Sequence, residues 1–249
     1  MAREKLTKKQ KRHLKIEDMQ KTESQFKLRP IKPLTRNQNR SFTSFYEDQN
    51  LFLYGVAGTG KTFVAMYLAL ESILSGLSTY EKLVIVRSIV PSRDIGFLPG
   101  TMQEKAKEYE QPYKIICEEL FDTEDAYRIL KDKRAIEFIP TSFNRGITIS
   151  NSIVLVDEVQ NFTSAECNTI ISRLGKNCRM IVAGDIRQCD LNRRKEFTGI
   201  VDFIQIIKEM QSFNFIEFDI DDIVRSSFVK EYIITRTRLE DEGKIDYLY

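Results

Sequence analysis

From about residue 37 onward, short apolar runs alternate with longer amphipathic segments. Leu51 to Tyr54, Leu83 to Val86, Ile153 to Val156, Met180 to Ala183 and Phe213 to Phe218 read as strands. The middle three are nearly all apolar, as strands of a parallel sheet covered on both faces must be. Segments near 61–75, 101–120, 163–174, 198–210 and 222–240 read as the helices between them. This succession predicts an α/β fold: a mostly parallel sheet with helices on both faces and right-handed crossovers. One helix can be drawn in detail, because Thr163 and Glu166 form a T-x-x-E capping box and Gly175 stands at the C′ position. Between them Cys167, Ile170, Ile171 and Leu174 fall on one helical stripe, which puts Cys167 in the core.

The first 33 residues break this pattern. Their few apolar positions follow no helical or strand period, and the stretch ends in Arg29 to Pro33, where two prolines restrict the backbone. They read as a flexible basic arm ahead of one folded domain over 34–249. Charge sharpens the division: residues 1–40 carry 13 Lys and Arg against 4 Asp and Glu, a net of +9, so the chain's overall +2 conceals a body at −7. Such an arm fits attraction to a phosphate polymer; it equally fits a solvated tail that maintains solubility.

With 249 residues, 42% of them hydrophobic, the chain can bury a substantial core. The four cysteines form no C-x-x-C pair, and no apolar run resembles a leader or a membrane span, so a reducing, cytoplasmic setting is expected. His13 is the only histidine and lies in the arm, which excludes histidine-based triads and histidine-ligated zinc or iron from the body. Any chemistry must run on carboxylates, lysine, arginine, hydroxyls and amides, with or without a borrowed metal.

The strongest chemical signal is Gly55-Val56-Ala57-Gly58-Thr59-Gly60-Lys61-Thr62, a G-x-x-x-x-G-K-[ST] run expected by chance in roughly one chain of this length in a hundred. It follows a predicted strand and opens a predicted helix, as a phosphate-cradling loop must. Glycines let backbone N–H groups turn toward phosphate, and the helix N-terminus adds its positive dipole end. Lys61 would neutralise β- and γ-phosphate charge, and Thr62 would offer a hydroxyl to Mg²⁺. The partner such a site needs is a carboxylate at a neighbouring strand end, and Ile153 to Val156 runs into Asp157 and Glu158. Asp157 would hold Mg²⁺, and Glu158 would orient or deprotonate the attacking water. Alone, an apolar strand ending in acids is a common junction; the loop upstream gives it meaning. A third strand end, Ala183-Gly184-Asp185-Ile186-Arg187-Gln188, brings a neutral amide that could report on the γ-phosphate, although its spacing alone also suits an ordinary strand-to-loop turn.

The runs GVAGTGKT, IGFLPGTMQEK, FNRGITISNSIVLVDEVQN, ISRLG and VAGDIRQCDL, in this order over roughly residues 34 to 230, resemble the PhoH family of P-loop ATPases. That family's RecA-like domain is similar to the first motor domain of superfamily 1 helicases. The resemblance implies ATP and Mg²⁺ as ligands, Asp157 and Glu158 as the Walker B pair, and Gln188 as counterpart of the helicase γ-phosphate sensor. It also implies that Gln38 matches an adenine-reading glutamine, whose amide can accept from and donate to the base. Arg225, in Asp222-Ile223-Val224-Arg225, sits where the family has D-I-V-R and could stabilise transferring phosphoryl charge; an exposed arginine paired with Asp221 or Asp222 fits the same residues. Two departures are Arg87-Ser88, where many members have R-P, and Val159, where alanine is common.

The expected activity is Mg²⁺-dependent ATP hydrolysis coupled to RNA or single-stranded DNA. No second motor domain is expected within these residues, so in place of strand separation by a monomer either identical subunits assemble, each closing its neighbour's site, or ATP switches binding to a partner. The competing expectation is a nucleotide-gated protein-binding module with slow hydrolysis; a small-molecule kinase lacks a visible acceptor site.

Overall fold

The computed structural model describes residues 26–89, 102–141, 146, 148–185 and 198–245. Six strands pair in order β3-β2-β4-β5-β1-β6: β1 (Asn50–Gly55), β2 (Lys82–Arg87), β3 (Ile136–Pro140), β4 (Ser152–Asp157), β5 (Cys178–Gly184) and β6 (Phe213–Phe218). Every pairing is parallel. The helices are α1 (Arg36–Tyr46), α2 (Lys61–Leu74), α3 (Met102–Phe121), α4 (Ala126–Asp132), α5 (Ser164–Arg173), α6 (Thr198–Glu209) and α7 (Ser227–Asp241).

Period-two alternation explains why the central strands are apolar throughout. Leu51, Leu53, Leu83, Ile85, Ile153, Leu155, Ile181 and Ala183 face one core together with α1 to α4. Phe52, Val84, Val86, Val154, Val156, Met180 and Val182 face the other with α5 and α6. Both faces are therefore dry, and each strand residue needs an apolar side chain. The parallel sheet with helices on both faces is thus the α/β fold expected from the alternating pattern, and it agrees with the RecA-like domain that the resemblance implies.

Parallel pairing also sets the functional edge. Arg87 stands beside Asp157, Tyr54 beside Gly184 and Gly55 beside Phe218, so the carboxyl ends of β2, β4, β5, β1 and β6 line one rim. Between β1 and β4 lies β5, and the chain leaves β1 toward the opposite half of the sheet. A ligand crevice belongs at such a switch point.

Four elements differ from the sequence reading. α1, α4 and the edge strand β3 are additional, and the last helix begins at Ser227, after a 3₁₀ turn at Ile220–Asp222. Residues 26–33 do not behave as arm: Phe26 stacks on Phe121 at 4.4 Å, Arg29 N–H donates to the Leu120 carbonyl at 2.9 Å, and Leu28 and Ile31 pack on the core. Residues 1–25 lie outside the described residues. The capping box at Thr163 and Glu166 forms as expected, and Cys167 and Ile170 are buried, but Ile171 is 38% exposed. Gly175 serves close approach, because an added Cβ would stand 2.3 Å from Ser150 Oγ.

Candidate nucleotide site

The loop between β1 and α2 is held from beneath. Gly55 has φ 120°, and a Cβ there would stand 2.0 Å from the Phe218 carbonyl oxygen, so only glycine lets β1 hand the chain over against β6. The Val56 N–H then donates to that same carbonyl at 3.0 Å. Buried Thr59 closes the turn by donating its hydroxyl to the Val56 carbonyl at 3.0 Å. Gly60 caps α2 with φ 81°, a left-handed conformation that leaves the helix N-terminus open toward the loop, beside Ala57 and Gly58. Lys61 Nζ donates to the Gly55 and Val56 carbonyls, each at 2.8 Å. Burial pushes its ammonium below the usual lysine range, while the charges of Asp185, Glu158 and Asp157 act against that shift.

Asp157 ends β4 with only 3% of its surface exposed. The Thr62 hydroxyl donates to its Oδ1 at 2.8 Å, joining α2 to β4 through the two groups assigned to Mg²⁺. Tyr113, fully buried on α3, donates its hydroxyl to Oδ2 at 2.8 Å. Burial and the neighbouring Glu158 charge lift the Asp157 carboxyl to about 6, against the hydrogen bonds from Thr62 and Tyr113 and the nearby Arg87. A hydroxyl and a carboxylate are hard oxygen donors suited to Mg²⁺. Among the described residues no group of three or more acidic, Cys or His side chains could form an all-protein metal cage.

Glu158 follows at φ 54° and opens a 3₁₀ turn, Val159–Asn161. The Gln160 amide donates to Glu158 Oε2 and, through its own oxygen, accepts from Asp185 N–H at 3.1 Å. One amide therefore ties the acid pair to the end of β5. Gly184 leaves room for it, since a Cβ there would stand 2.6 Å from Gln160 Oε1.

Gln38 is buried on α1 with both ends of its amide engaged: it donates to the Thr59 carbonyl at 3.0 Å and accepts from Leu34 N–H at 2.8 Å. It braces the phosphate loop directly. Its neighbour Asn37 donates to buried Asp222 at 2.7 Å, and Val224 N–H donates to the Gly58 carbonyl at 3.1 Å. Burial would raise the Asp222 carboxyl, but hydrogen bonds led by those of Asn37 and Thr35 hold it below the usual carboxylate range. Asp222 is thus a partner of α1, and exposed Arg225 lays its stem across Gly58, 3.2 Å from where a Cβ would be.

The structure brings Gln38, the loop from Gly55 to Thr62, Asp157, Glu158 and Arg225 to one rim. Gln188 and the IGFLPG run lie outside the described residues. Tyr113, Gln160 and Arg87 carried no assigned role in the sequence reading, and Asp222 entered it only as an ion-pair partner for Arg225. Gln160 stands within the D-E-V-Q-N run, and Asp222 within D-I-V-R, so motif position was the available signal for those two. Tyr113 falls on a buried stripe with Cys117 and Leu120, which marks it as core and says nothing about its hydroxyl.

Comparison with known proteins adds three findings. A family model described as PhoH-like protein matches residues 30–236. A PhoH-like protein of Synechocystis is 31% identical over 85% of this chain and 63% of its own length, and protein PhoH of Escherichia coli K12 is 31% identical over 80% and 56%. The chain thus spans about three fifths of the length of the curated relatives it matches. Among solved structures, Pif1 helicase from Candida albicans aligns with 84% of this chain and 44% of that one, at 14% identity and a TM-score of 0.43.

Proposed function

The chain belongs to the PhoH-like family, and on that premise we propose that it is a Mg²⁺-dependent ATPase whose hydrolysis is coupled to binding or remodelling of RNA or single-stranded DNA. The observation that carries the reading is the 2.8 Å contact between Thr62 and Asp157, which closes the phosphate loop onto the carboxylate strand end. Lys61 would leave the Gly55 and Val56 carbonyls for the β- and γ-phosphates, a move within reach of its long, flexible stem. Thr62 and Asp157 would hold the cation, which supplies electrostatic stabilisation of the transferring phosphoryl group. Glu158, held by Gln160, would orient the attacking water and accept its proton. Arg225, exposed beside Gly58, would offset charge on the phosphoryl group, and Gln188 would sense the γ-phosphate.

Polynucleotide coupling is supported by exposed Lys27, Arg29, Lys32, Arg36 and Arg40, a basic run without an intervening acid on the folded body. Self-assembly is supported by α7, which buries no residue and leaves Phe228 77% and Tyr232 60% exposed. No helix among the described residues is long and apolar enough to cross a membrane.

The test is steady-state ATP hydrolysis with and without single-stranded RNA or DNA, across a salt series. Lys61→Ala should weaken nucleotide binding and abolish turnover, whereas Glu158→Gln should abolish turnover and leave binding largely intact. Parent-like hydrolysis by Lys61→Ala removes the assignment. Slow hydrolysis indifferent to every polynucleotide would favour a nucleotide-gated protein-binding module.

A further inference from the structure

Asp157 is held from two sides, and only one donor belongs to the nucleotide loop. Thr62 on α2 takes Oδ1, and Tyr113 on α3 takes Oδ2. Tyr113 lies within the core beside Cys117 and Leu120, where phenylalanine would fill the same space. A hydroxyl placed there requires an acceptor, because leaving it unsatisfied costs about 1–3 kcal/mol. The acceptor is the carboxylate. Arg87 flanks the phenol: its guanidinium lies 6.0 Å from the Tyr113 ring centre and 5.7 Å from that of Tyr109, and it neighbours Asp157 across the β2–β4 pairing.

A carboxylate oxygen accepts about two hydrogen bonds. With one hydroxyl on each, both oxygens keep acceptor capacity, while the broad terminal torsion of an aspartate is closed down. We infer that Tyr113 is a positioning residue for the divalent cation, setting the Asp157 carboxylate in the orientation that receives Mg–nucleotide. The inference rests on the reading of Asp157 as the cation's carboxylate and extends it to a helix outside the loop and the acid pair. It also makes cation affinity depend on how α3 seats against β2 and β4.

The test compares Tyr113→Phe with Tyr127→Phe. Tyr127 is likewise buried and donates its hydroxyl to a carboxylate, Glu110 at 2.8 Å, so each variant loses one buried hydrogen bond but only one loss touches Asp157. The readout is equilibrium binding of a fluorescent, non-hydrolysable ATP analogue titrated with Mg²⁺, alongside urea unfolding. Tyr113→Phe should raise the Mg²⁺ midpoint roughly 10-fold and meet the parent at saturating Mg²⁺. Tyr127→Phe should lose stability and keep the parent midpoint. If Tyr113→Phe does not fold, Arg87→Lys, which keeps the charge beside Asp157 but removes the planar guanidinium flanking the Tyr109 and Tyr113 rings, should shift the midpoint in the same direction by about 3-fold. An unchanged midpoint in Tyr113→Phe, or in Arg87→Lys where that variant stands in, overturns the inference alone, as does an equal shift in Tyr127→Phe. Analogue binding by the parent that is absent, or indifferent to Mg²⁺, overturns the reading of the site itself.

Discussion

Burying Asp157 among Thr62, Tyr113 and Glu158 makes it expensive to the fold that holds it. Its carboxyl sits at about 6 against an ordinary 3.8, so between those values the folded chain binds more protons than the unfolded one. The stability owed to this group is therefore full below the ordinary value and is lost as pH rises through about 6. The loss at neutral pH is on the order of 1–3 kcal/mol. Asp157→Asn should consequently stabilise the nucleotide-free protein at pH 8 by about that amount, with the difference shrinking at pH 5, as read by urea unfolding at the two values. Its amide can still accept from one hydroxyl and donate to the other. At this scale the local motif residues were legible in the sequence, because loop, strand-end acids and spacing are written contiguously. Tyr113 was not: its partner lies 44 positions away, and only the packing of α3 against β4 brings the two together. Gly184 illustrates the same limit, since a strand-end glycine suggests a sharp turn whereas the structure uses it for the room Gln160 needs. Gly184→Ala should displace Gln160, loosen Glu158 and lower turnover by about 10-fold or more while nucleotide binding persists, a split visible by measuring both on one preparation.

Between elements, the β–α alternation was readable where strands are covered on both faces and unreadable where burial is partial. β3 is an edge strand with an acid, Glu137, among its apolar residues and a proline at its end. α1 reads as polar, yet it buries Gln38, Ser41, Phe42, Ser44 and Phe45. Its polar buried face is explained by its partners: Gln38 braces the loop, the Ser44 hydroxyl accepts from Asn214 at 2.7 Å, and Arg179 of β5 reaches the far end. That arginine, 5% exposed, donates to the Phe45 and Gln49 carbonyls and lies 3.8 Å from the Phe45 ring centre. A cation at a helix C-terminus satisfies carbonyls that the helix leaves open. Arg179→Met keeps much of the volume but leaves the Gln49 carbonyl without its donor and removes the cation beside the Phe45 ring, so it should destabilise the protein by about 2–4 kcal/mol. The measurement is the urea midpoint, and because α1 carries Gln38, nucleotide affinity should fall in parallel.

Across the whole molecule, the docking of residues 26–33 relocates the basic charge. Residues 1–25 hold 8 Lys and Arg against 4 acids, a net of +4, so more than half of the +9 assigned to residues 1–40 belongs to the folded body as Lys27, Arg29, Lys32, Arg36 and Arg40. Arg29 has an ion-pair partner, Asp122 at 3.7 Å, but both side chains are largely exposed and the pair competes weakly with phosphate. Truncation must accordingly stop before Phe26, because removing the Phe26–Phe121 stack would confound binding with stability. If the arm alone engaged a single strand, deleting residues 1–25 would abolish salt-dependent binding. The charge distribution predicts instead that deletion lowers the slope of log affinity against log salt and leaves a salt-dependent remainder. Each lost phosphate contact should lower the slope by roughly 0.7. Changing Lys27, Arg29 and Lys32 together to glutamine in the truncated protein should remove up to about 2 more. Fluorescence anisotropy of a labelled single-stranded oligonucleotide across a salt series separates the two contributions, and a truncated protein with no salt dependence would place the whole polynucleotide contact in the arm.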